Sequence, residues 1–350
     1  IPMLPERPKL GALPAPVRAY IAALEAELER LRPEPGAERL PAAATEAAGP
    51  AQLVTISKAG FAKRTARHLY GRQRRSGMGI FDLELRSADT PILLVLADED
   101  QHLLLITSSG RLQRLAVAAL PATPVRGRGH ALAELMSLEI DEYVCAALVV
   151  PAAGYVAFAS REGFVRVLPA HLLGEQLRPG LEALDVLLYG APAAACILES
   201  GADVLVATSG GRALRFAARL IGSAGVQGIR LENGEHVVGM AAVTDEVQVF
   251  LLGADGHGSV RPMSNFAANK APGAGGKLLL KTARLVAIAR VQLDCDLFVI
   301  SQLCKLIRFA AAEVPASNGV VQGVDCMALR ADETVALAAS ESIHAGSIGS

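Results

Sequence analysis

One pattern recurs six times along this chain at a step of roughly fifty residues, and it limits the fold more than any other feature. The copies are LVTISKAGFAKRT from Leu53, LLLITSSGRLQRL from Leu103 and VAFASREGFVRVL from Val156. They continue as VLVATSGGRALRF from Val204, VFLLGADGHGSVRP from Val249 and LFVISQLCKLIRF from Leu297. Each reads as an apolar strand, a short polar turn and a second strand, the signature of a β-hairpin. The turn residues Gly60, Gly110, Gly163, Gly211, Gly256 and Cys304 lie 50, 53, 48, 45 and 48 residues apart. A second landmark keeps the same step: Gly79, Gly129, Gly180, Gly228, Gly276 and Gly323, at intervals of 50, 51, 48, 48 and 47. After each comes a further strand-like run, such as VCAALVV, HVVGMAAV or LVAIARV. A unit of four short strands cannot bury both its faces alone, so neighbouring units must stack. Six units arranged radially leave only short, protected edges, which predicts an all-β propeller of four-stranded blades over residues 51–340. An open β-solenoid is the structural alternative.

The ends differ in texture from this body. In PVRAYIAALEAELERLR, from Pro16, Val17, Tyr20, Ile21, Leu24, Leu28 and Leu31 mark one apolar stripe, so a short amphipathic helix is expected there. A Pro, Ala and Glu mixture completes residues 1–50 and reads as a linker. The last residues, 341–350, are expected to be a disordered tail.

Composition narrows the function classes. There is no Trp, which removes the WD type of propeller, and 9 Phe with 5 Tyr leave little to line a small-molecule pocket. No cofactor is expected. The five cysteines form no close pair and the seven histidines no ligand spacing, so no metal site is expected either. No stretch is long and apolar enough for a membrane span, and no secretory leader is visible, so a cytoplasmic, nucleoid-associated protein is expected. HExxH, GxSxG and Walker patterns are absent, and the chain alone reads as non-enzymatic.

The charge is unevenly spread although its total is only −1. Between Leu53 and Phe81 lie seven cations, Lys58, Lys63, Arg64, Arg67, Arg72, Arg74 and Arg75, and no acid. Residues 82–350 carry 21 cations and 28 acids. Clustered cations beside an acidic remainder predict a phosphate-binding face on the first blade.

The repeats resemble the C-terminal domain of the DNA gyrase A protein. The resemblance runs from residue 53 to about 340, and GVQGIRLENGEHVVGM at Gly225–Met240 follows the family's blade pattern closely. The family's diagnostic box (Gln, Arg or Lys, Arg, Gly, Gly, Arg or Lys, Gly) is matched by QRRSGMG. Gln73, Arg74, Arg75, Gly77 and Gly79 fit; Ser76 and Met78 depart, replacing a flexible glycine and a cation. The resemblance implies a six-bladed β-pinwheel whose rim binds and bends double-stranded DNA, with topoisomerase subunits as further partners and a monomeric ring. It also implies DNA contacts at the whole box, at the other cations of the first blade and at Arg114, Arg126, Arg128 and Arg215. The catalytic tyrosine of gyrase belongs to a separate domain that nothing here resembles. With a degraded box and an acidic remainder, DNA binding is expected to be kept and wrapping weakened. The alternative function is a gyrase-derived propeller serving as a protein-interaction platform.

Overall fold

Each of the six copies folds, in a computed structural model of the chain, as the hairpin that its alternation predicts. Ala51–Ser57 pairs antiparallel with Phe61–Ala66, and His102–Thr107 pairs likewise with Leu112–Ala116. The other four hairpins join Tyr155–Ser160 to Phe164–Pro169, Asp203–Thr208 to Arg212–Ala217, Gln248–Gly253 to His257–Pro262 and Asp296–Ser301 to Lys305–Ala310. All six turns need a left-handed residue. Five glycines supply it with φ between 77° and 89°, and Cys304 adopts φ 63° in the sixth.

A third strand flanks the first strand of every hairpin: Pro91–Asp98, Val144–Val149, Pro192–Leu198, Val237–Val243, Leu285–Val291 and Thr334–Ala339. These six strands touch one another in chain order and the last touches the first, so the blades form a closed ring around them. The open solenoid is thereby excluded.

The fourth strand is borrowed from the following repeat. His130–Ala131 completes the first sheet, Val226–Gln227 the third, Lys277–Leu278 the fourth and Val324–Asp325 the fifth. Ile80–Phe81, from the first repeat, completes the sixth. This exchange explains the second glycine landmark. A Cβ at Gly79 would stand 2.7 Å from the Leu306 carbonyl oxygen, so only glycine lets the segment lie against its host strand. The second blade breaks the expectation of four strands: among the described residues its sheet has three, plus one bridge between Arg111 and Glu182. There the borrowed segment turns after Leu184 into a short helix, Val186–Tyr189, capped by Asp185. A Cβ at Gly180 would meet nothing within 4 Å, and the segment docks only beyond it, where Leu112 N–H donates to the Leu181 carbonyl at 3.1 Å and Ala183 N–H to the Gly110 carbonyl at 2.8 Å.

Six clusters of buried apolar residues hold the ring together, one between each pair of adjacent blades. Strand alternation divides each blade between two of them. Leu53 packs toward the sixth blade and Val54 toward the second. Each large side chain so buried contributes roughly 1.5–3 kcal/mol.

The structure describes residues 48–85 and 89–340, with 14, 16, 17 and 19–21 of the leader. Residues 1–44 and 45–350 form separate units. Pro16, Val17, Ala19, Tyr20 and Ile21 are helical, as the stripe predicts. The rest of the expected helix, most of the linker and the expected tail lie outside the described residues. No helix among the described residues is long and apolar enough to cross a membrane.

Candidate nucleic-acid interface

The box crosses the seam where the ring closes. Beyond the 3-10 turn Arg67–Leu69, the chain leaves the first blade and is tied to its neighbours by backbone bonds. The N–H of Gln73 donates to the Arg308 carbonyl at 2.7 Å, and that of Ser76 to the Cys326 carbonyl at 3.0 Å. Ala328 N–H donates to the Gly77 carbonyl at 3.0 Å. A tight turn from Arg74 to Gly77 places Ser76 at φ 66°. That conformation costs a non-glycine residue roughly 1–2 kcal/mol. The Ser76 hydroxyl offsets part of it by donating to the Asp325 carbonyl at 2.8 Å. Arg75 serves as a second staple: its N–H donates to Glu313 at 3.0 Å and its Nη1 to the Asp325 carbonyl at 2.9 Å. Arg74 is exposed and free of ion pairs among the described residues, and Met78 beside it is 56% exposed.

The acid-free run of sequence does not stay acid-free in space. Lys63 has no exposure at all and lies between the first and sixth blades. Its Nζ donates to Asp82 Oδ1 at 2.5 Å and to the Asp82 carbonyl at 2.6 Å. Tyr70 OH donates to the same carboxylate oxygen, and Thr55 donates to the other at 2.8 Å. Burial pulls the Lys63 ammonium below the ordinary lysine value, while Asp82 opposes that shift. Burial, and then Asp82, push the Tyr70 phenol well above its own.

Lys63 is therefore a core residue, and no phosphate reaches it in this fold. Arg64, 6% exposed, faces the second blade and pairs with Glu99 at 2.7 Å; Arg67 is buried at the start of its 3-10 turn. Arg72 is half-exposed and pairs with Asp296 at 2.8 Å. Lys58 is exposed in the hairpin turn, while Gln73, Gly77 and Gly79 are partly buried.

Arg215 is also removed from the surface. It is 5% exposed and bonds Asp203 and Asp245, each at 2.8 Å, and the Met263 and Phe266 carbonyls of the next blade. Arg308 repeats this clamp at the ring closure, bonding Asp296 and, at 3.0 Å, the Tyr70 carbonyl of the first blade. Arg114, part-buried, holds the same strand position on the second blade. Arg126 and Arg128 are exposed on the borrowed segment that completes the first blade. The Arg126 guanidinium lies 5.9 Å from the Phe81 ring centre and Lys305 Nζ 5.8 Å from it, while Arg128 stands 6.0 Å from Phe61. Arg126 also meets the exposed Glu84 at 3.5 Å.

Phe81, 52% exposed between two cations, and Lys305 are absent from the sequence-based set. Their signal is positional: Phe81 follows a landmark glycine by two residues and Lys305 follows the sixth turn. The borrowed strand joins them by pairing Phe81 with Lys305.

Residues 51–89 and 202–244 match the family described as the DNA gyrase C-terminal domain, beta-propeller. Over 299 residues the chain is 26% identical to the DNA gyrase A protein of Mycolicibacterium smegmatis, which covers 81% of this chain. It is 31% identical over 299 residues to the gyrase A protein of Deinococcus deserti, covering 78% of this chain. The chain is similar to the gyrase A C-terminal domain family. It spans 35% and 36% of the length of those two relatives. The solved structure of a DNA gyrase A C-terminal domain superposes with a TM-score of 0.73 at 19% identity, over 83% of this chain and 99% of that one. The C-terminal domain of DNA topoisomerase IV does so with 0.56 at 17%, over 83% and 93%. These two likenesses show the six-bladed fold.

Proposed function

We propose that this pinwheel binds duplex DNA without sequence preference at the closing seam, as a non-catalytic accessory unit of a type II topoisomerase acting at the bacterial nucleoid. The observation that carries the reading is the box itself. Backbone bonds to the fifth and sixth blades hold the loop in one shape, which leaves Arg74 outward among exposed cations. Arg72, Arg74, Arg126, Arg128 and Lys305 supply charge there, and Arg75 lends part of its guanidinium.

Five phosphate contacts predict a salt slope of roughly −4 to −5, at about −0.9 per contact, with Kd near the ~10⁻⁴–10⁻⁶ M of non-specific binding. Bending a duplex around the rim costs on the order of 1–6 kcal/mol. Arg64 and Arg215 are spent inside the ring and do not help to offset that cost. Binding with weak wrapping is the outcome these groups support. Anisotropy of a labelled short duplex across a salt series reads the slope, and relaxation of a closed circle in the presence of the protein reads wrapping. A slope near zero, or one that Arg74→Ala leaves unaltered, sinks the reading; full wrapping refutes only its second half.

A second reading has one specific observation in its favour. Ile140, in an acid-rich loop, and Leu187, in the short helix Val186–Tyr189, are each 94% exposed beside the second blade's turn, with Leu188 also exposed. Exposed apolar side chains gathered beside one turn are the kind of surface a protein-interaction platform uses. Retention on heparin separates the two, because a platform elutes at low salt whether or not Arg74 is present.

A further inference from the structure

Four blades carry an arginine four residues past the hairpin turn: Arg64, Arg114, Arg215 and Arg308. Each lies opposite a first-strand residue whose neighbour two positions earlier shares its face. In the fourth and sixth blades that neighbour is Asp203 or Asp296, and it takes the guanidinium. In the first blade it is Gln52, and Glu99 pairs with Arg64 instead. In the second blade it is His102, and no carboxylate replaces it. Arg114 makes no ion pair or hydrogen bond among the described residues, and its Nε is buried without an acceptor. A cleft of about 440 Å³ opens on it between the second and third blades, lined also by Gln101, His102, His171, Gln176 and, at its exposed lip, Glu175. Gln101 Oε1 is already engaged, accepting the Asp98 N–H at 2.8 Å, so its amide hydrogens remain for a ligand.

We propose that this cleft is an anion site for a phosphate group. Arg114 is its anchoring charge, and the imidazoles of His102 and His171 with the Gln101 amide are its further donors. A guanidinium is matched to a tetrahedral oxyanion, which it can meet with two parallel bonds. The cleft is larger than one phosphate, so the group is carried on something: a small phosphorylated molecule or a nucleic-acid backbone. The site lies away from the closing seam and does not depend on DNA binding there.

Thermal melting of the whole chain tests it, with inorganic phosphate against chloride at matched ionic strength. Phosphate raises the melting temperature of the wild type, Arg114→Gln abolishes that rise, and Arg114→Lys retains part of it. In phosphate-free buffer Arg114→Gln melts at or above the wild-type temperature, because it deletes an unpaired charge. Arg215→Gln, which breaks a clamp, melts several degrees lower. Duplex binding then identifies the source. A loss of about tenfold in Arg114→Gln assigns the site to backbone phosphate, and unchanged duplex binding assigns it to a small phosphorylated ligand. The proposal is overturned if phosphate leaves the wild type unshifted, if the shift survives in Arg114→Gln, or if Arg114→Gln melts as low as Arg215→Gln.

Discussion

The seam between the fourth and fifth blades and the seam that closes the ring are built on the same clamp, yet their interiors differ. Arg215 spans the first and Arg308 the second, each bonding its own hairpin's aspartate and carbonyls at the next blade's 3-10 turn. Behind the clamp, Leu279 donates its N–H to the Gly211 carbonyl at 2.8 Å, just as Asp82 donates to Cys304 at 2.9 Å. Leu279 is packed among apolar side chains; Asp82 holds Lys63, Tyr70 and Thr55. At the same place the other seams have Leu132, Ala183 and Cys326, or come through Gly228. Only the closing seam joins the first repeat to the last. A buried ion pair adds little net stability over an apolar pack, but it penalises a misplaced partner heavily. On this physics the ion pair at the closing seam fixes the register in which the ring closes.

The largest expected effect breaks that lock. Asp82→Ala strands a buried ammonium and lowers the unfolding free energy by about 3–5 kcal/mol, read from denaturant melts. Lys63→Met with Asp82→Leu, combined with Tyr70→Phe and Thr55→Val so that no hydroxyl is left without its acceptor, converts the seam to the apolar kind and returns to within about 1 kcal/mol of wild type. A combined variant as unstable as Asp82→Ala shows that the ion pair itself stabilises the fold and does more than set register. The shared clamp ranks next. Arg215→Gln and Arg308→Gln each lose charged hydrogen bonds and fall by about 1.5–3 kcal/mol. Equal losses mean that the two seams differ only behind the clamp.

How far the sequence reaches follows the same division. Hairpins, turns and period are local and repeated, so six copies of LVTISKAGFAKRT-like sequence reveal the blades without coordinates. The sharing of strands between blades is not local, and that sharing is what brings Asp82 beside Lys63, nineteen residues away. The linear run of seven cations therefore reads as one basic face, whereas strand alternation sends Lys63 inward on one side and Arg64 toward Glu99 on the other. Ser76 is legible as a strained substitute for glycine; the Asp325 carbonyl that supports it is not.

An acid titration reads a carboxylate at the periphery of the second blade. At the second blade's turn, burial works to raise the Glu142 pKa. Hydrogen bonds from Arg111, the Glu139 N–H and Ser109 outweigh it and hold the group down to about 2. A carboxylate so depressed contributes stability that is fully present above its ordinary value and lost as pH falls from about 4.5 toward 2. Glu142→Gln flattens the stability curve across that window. A curve as steep as the wild type's assigns the acid sensitivity to other carboxylates.

The smallest effects lie in the box, where stability and binding come apart. Ser76→Gly removes roughly 1–2 kcal/mol of left-handed strain. It also loses a hydrogen bond worth about 0.5–1.5 kcal/mol and frees the unfolded chain by some 0.4–1 kcal/mol. The sum stays within about 1.5 kcal/mol of zero. Met78→Lys, at a half-exposed site, leaves melting unaltered. If the duplex passes over this loop, the new cation steepens the salt slope by about 0.9. The same substitution at Leu187, in the short helix beside the second blade's turn, leaves the slope where it was. A slope that responds equally at both positions means that DNA senses net charge alone and that the closing seam has no special claim on it.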